Sequence, residues 1–415
     1  MINSLIFFVL LLYFLTKFAL DVIQINYIRN MQVSEEELSK LDLNKQHMEK
    51  SNLYNIDKLI ISIVSLLVQI LIIYFFLYAG GINYLFAVFS NLYMNPGIIL
   101  SFINQELLVL LIFFLIITLI NLPIGLYKIF FIEERYGFNK MTPSLFIRDF
   151  FVSLILSTLI IVFLFQSFLF LYINFEKDWW LLMWMVFMVF NIFFLYIYPT
   201  VISPLFNKFK KIDDGNILDA INNLTKRVKF DIKDVYIMDG SKRSKHSNAY
   251  FTGFHKNKRI VFFDTLIENL TVNEITSVLA HEIGHYKEKQ ILKSIIINAL
   301  LSLLIFYIMF KLSTMQIFFD AIGVDVIGPA SMVISYSLLF PVFGFFVIPF
   351  LTSFSRKNEY EADSFAKKYT NKDDLISAII KLYKENLTIL KPSPLYANFY
   401  YTHPTVFERI KKLKS

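Results

Sequence analysis

Seven runs of apolar residues, each close to the length that crosses a bilayer, punctuate the chain: 2 to 20, 59 to 79, 107 to 125, 150 to 173, 179 to 202, 291 to 312 and 328 to 352. About 20 consecutive apolar residues in a helix span the hydrocarbon core, so each run predicts one transmembrane helix. Two stretches break the pattern, residues 203 to 290 and 355 to 415, where polar and apolar positions mix as they do in water-facing structure. Within the first, Ile217 to Val228 repeats apolar residues at helical spacing. Val235 to Met238 and Arg259 to Phe263 read as short strands and Asn248 to Phe251 as a third, interrupted by Gly240, Gly253 and the polar run Ser241 to Ser247. Asn273 is expected to cap a helix running from Glu274 to Glu288.

Basic residues give the runs a direction. Arg29, Lys40, Lys45 and Lys50 follow the first span, Lys128, Arg135, Lys140 and Arg148 the third, a dense set from Lys208 to Lys289 the fifth, and Arg356 through Lys414 the seventh. The connections after spans two, four and six offer no Lys or Arg, Lys177 alone, and Lys311 at a span end. Because Lys and Arg stay on the cytoplasmic side, the C-terminus is expected inside and the N-terminus outside. The first run lacks a basic leader and a small-residue cleavage site and carries Lys17 near its end, so it reads as an uncleaved anchor. Polar residues inside the spans, Gln69, Gln166, Asn191 and Asn298, are expected to face neighbouring helices or a wet cavity rather than lipid.

Composition adds to this picture. The chain has 415 residues, 56% of them hydrophobic and 18% charged, with a mean hydropathy of +0.56. Soluble domains are about 45–50% apolar, so this is an integral, multi-pass membrane protein. Its net charge of +7 lies in the orienting loops rather than in a binding stripe, which argues against nucleic acid as a partner. With no cysteine, the chain has no disulfide, no thiol nucleophile and no thiolate ligand. Heavy use of Ile, Lys, Asn and Phe over Ala and Arg is the signature of an AT-rich genome and points to a bacterium. The membrane is then the bacterial inner membrane, or the endoplasmic reticulum if the source is eukaryotic.

The chemistry concentrates in His281-Glu282-Ile283-Gly284-His285, just ahead of the sixth span. On a helix the two histidines lie one turn apart, with Cβ atoms roughly 6 Å from each other. Both imidazoles then reach one zinc ion while Glu282 serves as base on its bound water. A catalytic zinc needs a third protein ligand. Glu359, in Glu359-Tyr360-Glu361-Ala362-Asp363 just past the seventh span, is the leading candidate, with Asp363 one turn later as partner to a histidine ligand. His246 and His255 repeat no ligand spacing. Glu133, Glu134 and Arg135 are expected to form a structural ion-pair cluster at the base of the third span. Tyr250, Tyr396, Tyr400 and Tyr401 are expected to be packing or interfacial anchors.

With HEIGH and EYEAD in hand, further segments carry a resemblance: residues 133–140 (EERYGFNK), 198–209 (YPT leading to SPLFNKF), 240–244 (GSKRS), 246–251 (HSNAYF) and 402–404 (THP). Together and in this order they resemble the type I CAAX prenyl endopeptidases, integral-membrane zinc metalloproteases with a seven-helix fold. The resemblance implies zinc ligands His281, His285 and Glu359, Glu282 as base and Asp363 behind a ligand. It further implies Asn248 and His403 against the scissile peptide, Arg409 supporting the site from the tail, and a hollow helical chamber. The fold class expected is an all-α polytopic membrane protein: seven transmembrane helices with a small α/β cytosolic zinc-metalloprotease segment. Its parts are 1–202 (spans one to five), 203–290 (cytosolic loop and HExxH helix), 291–354 (spans six and seven) and 355–415 (tail with the third ligand). The function expected is hydrolysis of extended or C-terminal peptide substrates, prenylated tails among them, at the cytosolic membrane face. The alternatives are a quality-control membrane metalloprotease of the heat-shock type and a noncatalytic membrane scaffold. Oligomeric state is left open.

Overall fold

The computed structural model describes residues 2–93, 104–212, 215–232, 234–252 and 259–415. Five helices with membrane-length apolar windows come first: α1 (Ile2–Arg29), α2 (Lys45–Ile73), α3 (Gln105–Tyr127), α4 (Pro143–Asn174) and α5 (Trp179–Ile197). Most run past the apolar core, so α1 continues nine residues beyond the expected end at 20 and α2 begins fourteen ahead of 59. These overhangs are the polar stems on which the water-facing layer rests.

That layer begins with a four-stranded sheet. Strands β1 (Phe209–Lys211), β2 (Asp234–Met238), β3 (Ala249–Thr252) and β4 (Arg259–Phe263) stand in the order β1-β2-β4-β3, with β2–β4 parallel and the other two pairs antiparallel. The three expected strands are present. β1 was not expected, since Phe209-Lys210-Lys211 is too polar to read as a strand, and it survives as an edge strand, where lysine is tolerated. β3 holds the opposite edge. Gly253 and His255 lie outside the described residues. The amphipathic helix α6 (Gly215–Arg227) is the one anticipated from Ile217 onward, and Ile217, Ile221 and Leu224 are its buried stripe.

Helix α7 (Val272–Lys287) carries the HEIGH motif, and its start corrects the sequence reading. Thr271, not Asn273, is the N-cap: its hydroxyl accepts from Glu274 N while Glu274 Oε2 accepts from Thr271 N at 2.7 Å. A Thr-x-x-Glu box satisfies two orphan amides reciprocally, whereas Asn273 as cap would satisfy one. Lys289, at φ 54, then breaks the chain between α7 and α8 (Gln290–Ser313), the sixth span.

The seventh run is not one straight helix. It is α9 (Pro329–Phe345) followed by α10 (Ile348–Tyr369), bent by 58°. Pro349 explains the break: it has no N–H for the carbonyl of Phe345, and its ring clashes there. α8 leaves the motif at Gln290 and α10 returns to it, so the chain must recross between them, and α9 with the bend supplies that crossing. The tail adds α11 (Lys372–Glu385), α12 (Pro394–Tyr400) and α13 (Val406–Lys414).

Two large cores and two small clusters result among the described residues. One, around Tyr13, Phe76, Phe113, Trp179, Phe319 and Tyr336, ties the helices together. The other, around Ile221, Phe262, Leu279, Ile283, Ala366 and Leu413, binds the sheet to α7, α10 and the tail. Between them the spans splay. Gln290 is the one fully buried residue of α8, while α4 and α5 are buried only at Phe165, Phe168, Leu171, Trp179 and Met183, where the two helices meet. The splay opens a cavity of about 740 Å³ between α5, α8 and α10. Asn191 and Asn298 line it, as expected of polar residues in spans, and Gln69 accepts instead from the Tyr13 hydroxyl at 2.9 Å.

Candidate active site

The site lies where α7 crosses α10, and the crossing is close because Gly284 permits it. A Cβ on Gly284 would stand 2.9 Å from Ala362 Cα and 3.1 Å from Ala362 O, so only glycine lets the two backbones approach this far. The approach brings Glu359 of α10 up to the two imidazoles of α7. His281 Nε2 and His285 Nε2 are 3.2 Å apart, His281 Nε2 is 3.4 Å from Glu359 Oε2, and His285 Nε2 is 3.4 Å from Glu359 Oε1. All three donors lie within 4.8 Å of one another and could hold a metal ion. Glu359 Oε2 is buried without a hydrogen-bond partner, which is costly for a carboxylate and fits an oxygen reserved for a cation.

The outer faces of the imidazoles are held as firmly. His281 Nδ1 lies 2.8 Å from Asp363 Oδ1, and Asp363 is gripped from behind by Arg409, whose Nε and Nη2 donate to its two oxygens at 2.9 and 2.6 Å. This two-pronged fork fixes both position and charge, and Arg409 is itself buried on α13. His285 Nδ1 lies 2.5 Å from Gln290 Oε1, and Gln290 Nε2 donates to Asn358 O at 3.0 Å. Each contact places an acceptor against the outer ring nitrogen, so that a metal at the site would meet Nε2 with its lone pair turned inward. Burial works against protonation of His281, yet Asp363 and Glu359 outweigh it and carry its pKa up to about 9. The same field that traps a proton attracts a metal cation.

Glu282, next to His281, faces a second cavity of about 420 Å³ together with Asn248, His403 and Arg409. Burial holds its carboxyl above the ordinary glutamate pKa, against the pull of His281 and His285. Asn248 sits just before β3, and its Oδ1 accepts from the N–H of Ala249 at 2.8 Å, so its amide NH₂ remains available. His403 projects into the cavity from the turn between α12 and α13, with Nε2 3.4 Å from Glu359 Oε1 and Nδ1 2.9 Å from the Thr402 hydroxyl. Every residue singled out for the site thus converges on one place: His281, Glu282, His285, Glu359, Asp363, Asn248, His403 and Arg409.

Others behave differently from expectation. Glu133, Glu134 and Arg135 do not pair with one another. Arg135 reaches Asp57 at 2.8 Å, Glu134 accepts from Asn139, and Glu133 accepts from Tyr54. Like charges adjacent in sequence repel; Glu133 and Arg135 find partners across the fold, and Glu134 finds one five residues along its own segment. His246 is held by Glu133 and Asn386, away from the motif histidines. Tyr396 and Tyr400 do pack against the membrane core, and Tyr250 is half-buried against Phe263, but Tyr400 and Tyr401 also line the cavity beside Glu282. Gln290 and Asn386 were not anticipated. Gln290 lies five residues after His285 across a break in the helix, so no helical spacing marks it.

Comparison with known proteins bears on the chain as a whole. Residues 24–208 match the CAAX prenyl protease N-terminal domain, described as five membrane helices, and residues 211–415 match peptidase family M48. CAAX prenyl protease 1 of Saccharomyces cerevisiae is 37% identical over 71% of this chain and 69% of its own length. The mouse homologue is 34% identical over 88% of this chain and 86% of its own. The crystal structure of Saccharomyces mikatae Ste24p superposes with a TM-score of 0.89 at 31% identity, covering 99% of this chain and 98% of that one. Neither a noncatalytic scaffold nor a heat-shock-type protease accounts for such coverage. The chain belongs to the type I CAAX prenyl endopeptidases of peptidase family M48 and is a multi-pass membrane metalloendopeptidase.

Proposed function

We propose that this metalloendopeptidase uses zinc to cleave extended peptides and protein tails at the cytosolic membrane face, prenylated tails among them. The observation that carries the reading is the triangle of His281, His285 and Glu359, with a soluble-layer cavity on one side and a cavity among the spans on the other. Zinc bound at about 2.0–2.1 Å in a tetrahedron needs donor atoms roughly 3.3–3.4 Å apart; the two imidazole nitrogens stand 3.2 Å apart and each has one Glu359 oxygen at 3.4 Å, Oε2 for His281 and Oε1 for His285, so a small turn of that carboxylate would complete the set. His281, His285 and Glu359 would hold it. Once bound, zinc lowers the pKa of a coordinated water to about 7 and polarises the substrate carbonyl.

The chain's own residues do the rest. Glu282 takes the proton from the attacking water and delivers it to the leaving amine, and its raised pKa suits both transfers. Asn248 donates from its free NH₂ to the oxygen on which negative charge develops. His403 stands beside it: Nε2 faces the Glu359 carboxylate, an acceptor, so that nitrogen carries the proton while Nδ1 accepts from Thr402, and with substrate bound this N–H would turn from Glu359 to the developing charge. Strand β3 offers a sheet edge beside these donors, and an extended peptide added there is held by main-chain hydrogen bonds with little demand on sequence. A folded domain presents no such strand and does not fit a cavity of about 420 Å³. The larger cavity, walled by side chains such as Ile192, Leu195, Ile295 and Leu301, gives an apolar group near the scissile bond a place beside Glu359. The relatives' name, CAAX prenyl protease 1, supports a prenyl chain as that group. The Lys and Arg alternation along the chain supports the cytosolic side, and eukaryotic relatives favour the endoplasmic reticulum membrane.

Mass-spectrometric mapping of products from a farnesylated tail peptide, its unprenylated twin and a stably folded soluble protein tests the reading. Both peptides are cut and the folded protein survives. Glu282→Gln retains zinc and loses about 10²–10⁴-fold in turnover, whereas His281→Ala and Glu359→Ala lose metal and activity together. Digestion of the folded protein with both peptides intact, or full zinc content in both ligand variants, refutes it.

A further inference from the structure

Residues 133–140 take no part in this chemistry, yet they are docked against the loop that presents Asn248. Backbone pairing anchors the contact: Lys140 N donates to Arg243 O at 3.1 Å, and Lys245 N to Phe138 O at 3.1 Å. His246 then stacks on Phe138 with ring centroids 4.0 Å apart and turns Nε2 toward Glu133 Oε2 at 3.2 Å. Glu133 is braced in turn by the hydroxyl of Tyr54, buried on α2, at 2.8 Å. From the opposite side comes Asn386, at the C-terminal end of α11. Its Oδ1 accepts from Ser247 N at 3.2 Å and lies 3.1 Å from His246 Nδ1, while its Nδ2 donates to Ser247 O at 3.3 Å. One side-chain amide therefore closes on both backbone groups of the residue immediately before Asn248.

We infer that Asn386, backed by the Glu133–His246 pair, is a positioning residue for peptide hydrolysis: it clamps Ser247 so that the Asn248 amide stands at the scissile carbonyl. The inference rests on the role proposed above for Asn248. A polar loop ahead of an edge strand has little packing to hold it, and Asn248 itself is exposed. Misplacing a catalytic group by about 1 Å costs roughly 10²-fold, so a clamp is required somewhere. Asn386 lines the same cavity as Asn248, His281 and Glu282, and it joins the tail to the loop. Tyr54 and Glu133 join the loop to the second and third spans. The substrate edge is thus referenced to the membrane helices as well as to the metal helix.

The test is a double-mutant cycle on the full-length, metal-loaded enzyme with the tail peptide as substrate. A donor that acts on developing charge affects kcat more than KM. Asn386→Ala is expected to lower kcat by ~10–100-fold, with KM within about threefold and metal content unchanged. Asn386→Asp, which keeps the acceptor for Ser247 N, recovers part of the loss. In an Asn248→Ala background the further loss on adding Asn386→Ala shrinks to less than about threefold, because positioning has nothing left to position. A merely structural role gives the same loss in both backgrounds and overturns the inference, as does an Asn386→Ala enzyme with normal kcat. If Asn248→Ala is itself silent while Asn386→Ala is not, the proposed role of Asn248 is what has failed. Should Asn386→Ala not accumulate, His246→Phe, which keeps the stack on Phe138, takes its place in the same cycle.

Discussion

An imidazole that binds metal through Nε2 needs its other nitrogen told which way to point, and each motif histidine is told by a different residue. His281 has Asp363, a charged partner held by Arg409. His285 has the neutral amide of Gln290, which is tied to the backbone of α10 at Asn358. Outer partners of this kind change metal affinity by about 10–100-fold when removed. Gln290→Leu, similar in volume but without the acceptor, is therefore expected to weaken metal retention by about that factor in a chelator competition, while Gln290→Glu holds the metal. Retention equal to the parent's in Gln290→Leu would mean that His285 needs no such partner. The motif histidines were legible because ligand spacing is local and helical, and Glu359 because an acidic pair one turn apart follows the last span. Gln290 was not, since Lys289 at φ 54 turns the chain back under His285 by a route no periodicity encodes. Asn248, His403 and Arg409 came from resemblance, for their meeting depends on three segments that only the tertiary fold joins.

Among the helices, the crossing of α7 and α10 determines whether a metal site exists, and Gly284 sets its depth. The atoms that an added Cβ would meet are Ala362 Cα and O, at 2.9 and 3.1 Å. Backbone cannot swing aside as a side chain can, so the helices must part and the donor triangle opens. Gly284→Ala is expected to lose metal and turnover together and to lower the apparent Tm, at a cost of about 1–3 kcal/mol from overpacking. Unchanged metal content and Tm would show that the crossing has slack. The start of α7 makes a second prediction. Burial works to raise the Glu274 pKa, but Lys381, Ser377 and the Thr271 N–H donate to it and hold it below the ordinary value. A carboxylate depressed in the folded state contributes stability above its unfolded pKa of about 4.3 and loses it as pH falls through the folded value. Glu274→Gln is expected to cost roughly 1.5–3 kcal/mol at neutral pH and to flatten the drop in apparent Tm on acidification from about pH 5 downward. Equal acid sensitivity of parent and variant would exclude Glu274 as its source. Strand and helix periods were legible for α6, β2, β3 and β4. The bend at Pro349 was not, because an apolar window reports length and not direction, and neither was β1, whose lysines are acceptable only at an edge.

At the scale of the whole molecule, six membrane-length helices and the bent pair α9–α10 were legible because lipid imposes one requirement, length, on every span. The hollow between them was not legible without the family, since a window of hydropathy does not separate a helix face in lipid from one in a cavity. Asn191 and Asn298 resolve it only once α5 and α8 are seen to splay around them. The crossings also fix an arrangement that the metal site depends on. α7 precedes the sixth span and α10 ends the seventh, so their meeting at His281 and Glu359 puts residues 203–290 and 355–415 on one face of the membrane. With the bent pair counted as one span the crossings number seven, which is expected to put the N-terminus on the other. Basic loops choose which face is cytosolic, at about 1 kcal/mol per Lys or Arg near an anionic leaflet. The chain has no cysteine, so single substitutions at exposed positions report the side without background. In sealed vesicles with the cytosolic face outward, Ser415→Cys is expected to react with an impermeant thiol reagent, while Ser4→Cys and Glu176→Cys, on the opposite face, react only after permeabilisation. The reverse pattern would move the metal site to the far side of the membrane. It would deny the enzyme any tail displayed by a cytosolic protein and require a substrate delivered across the bilayer.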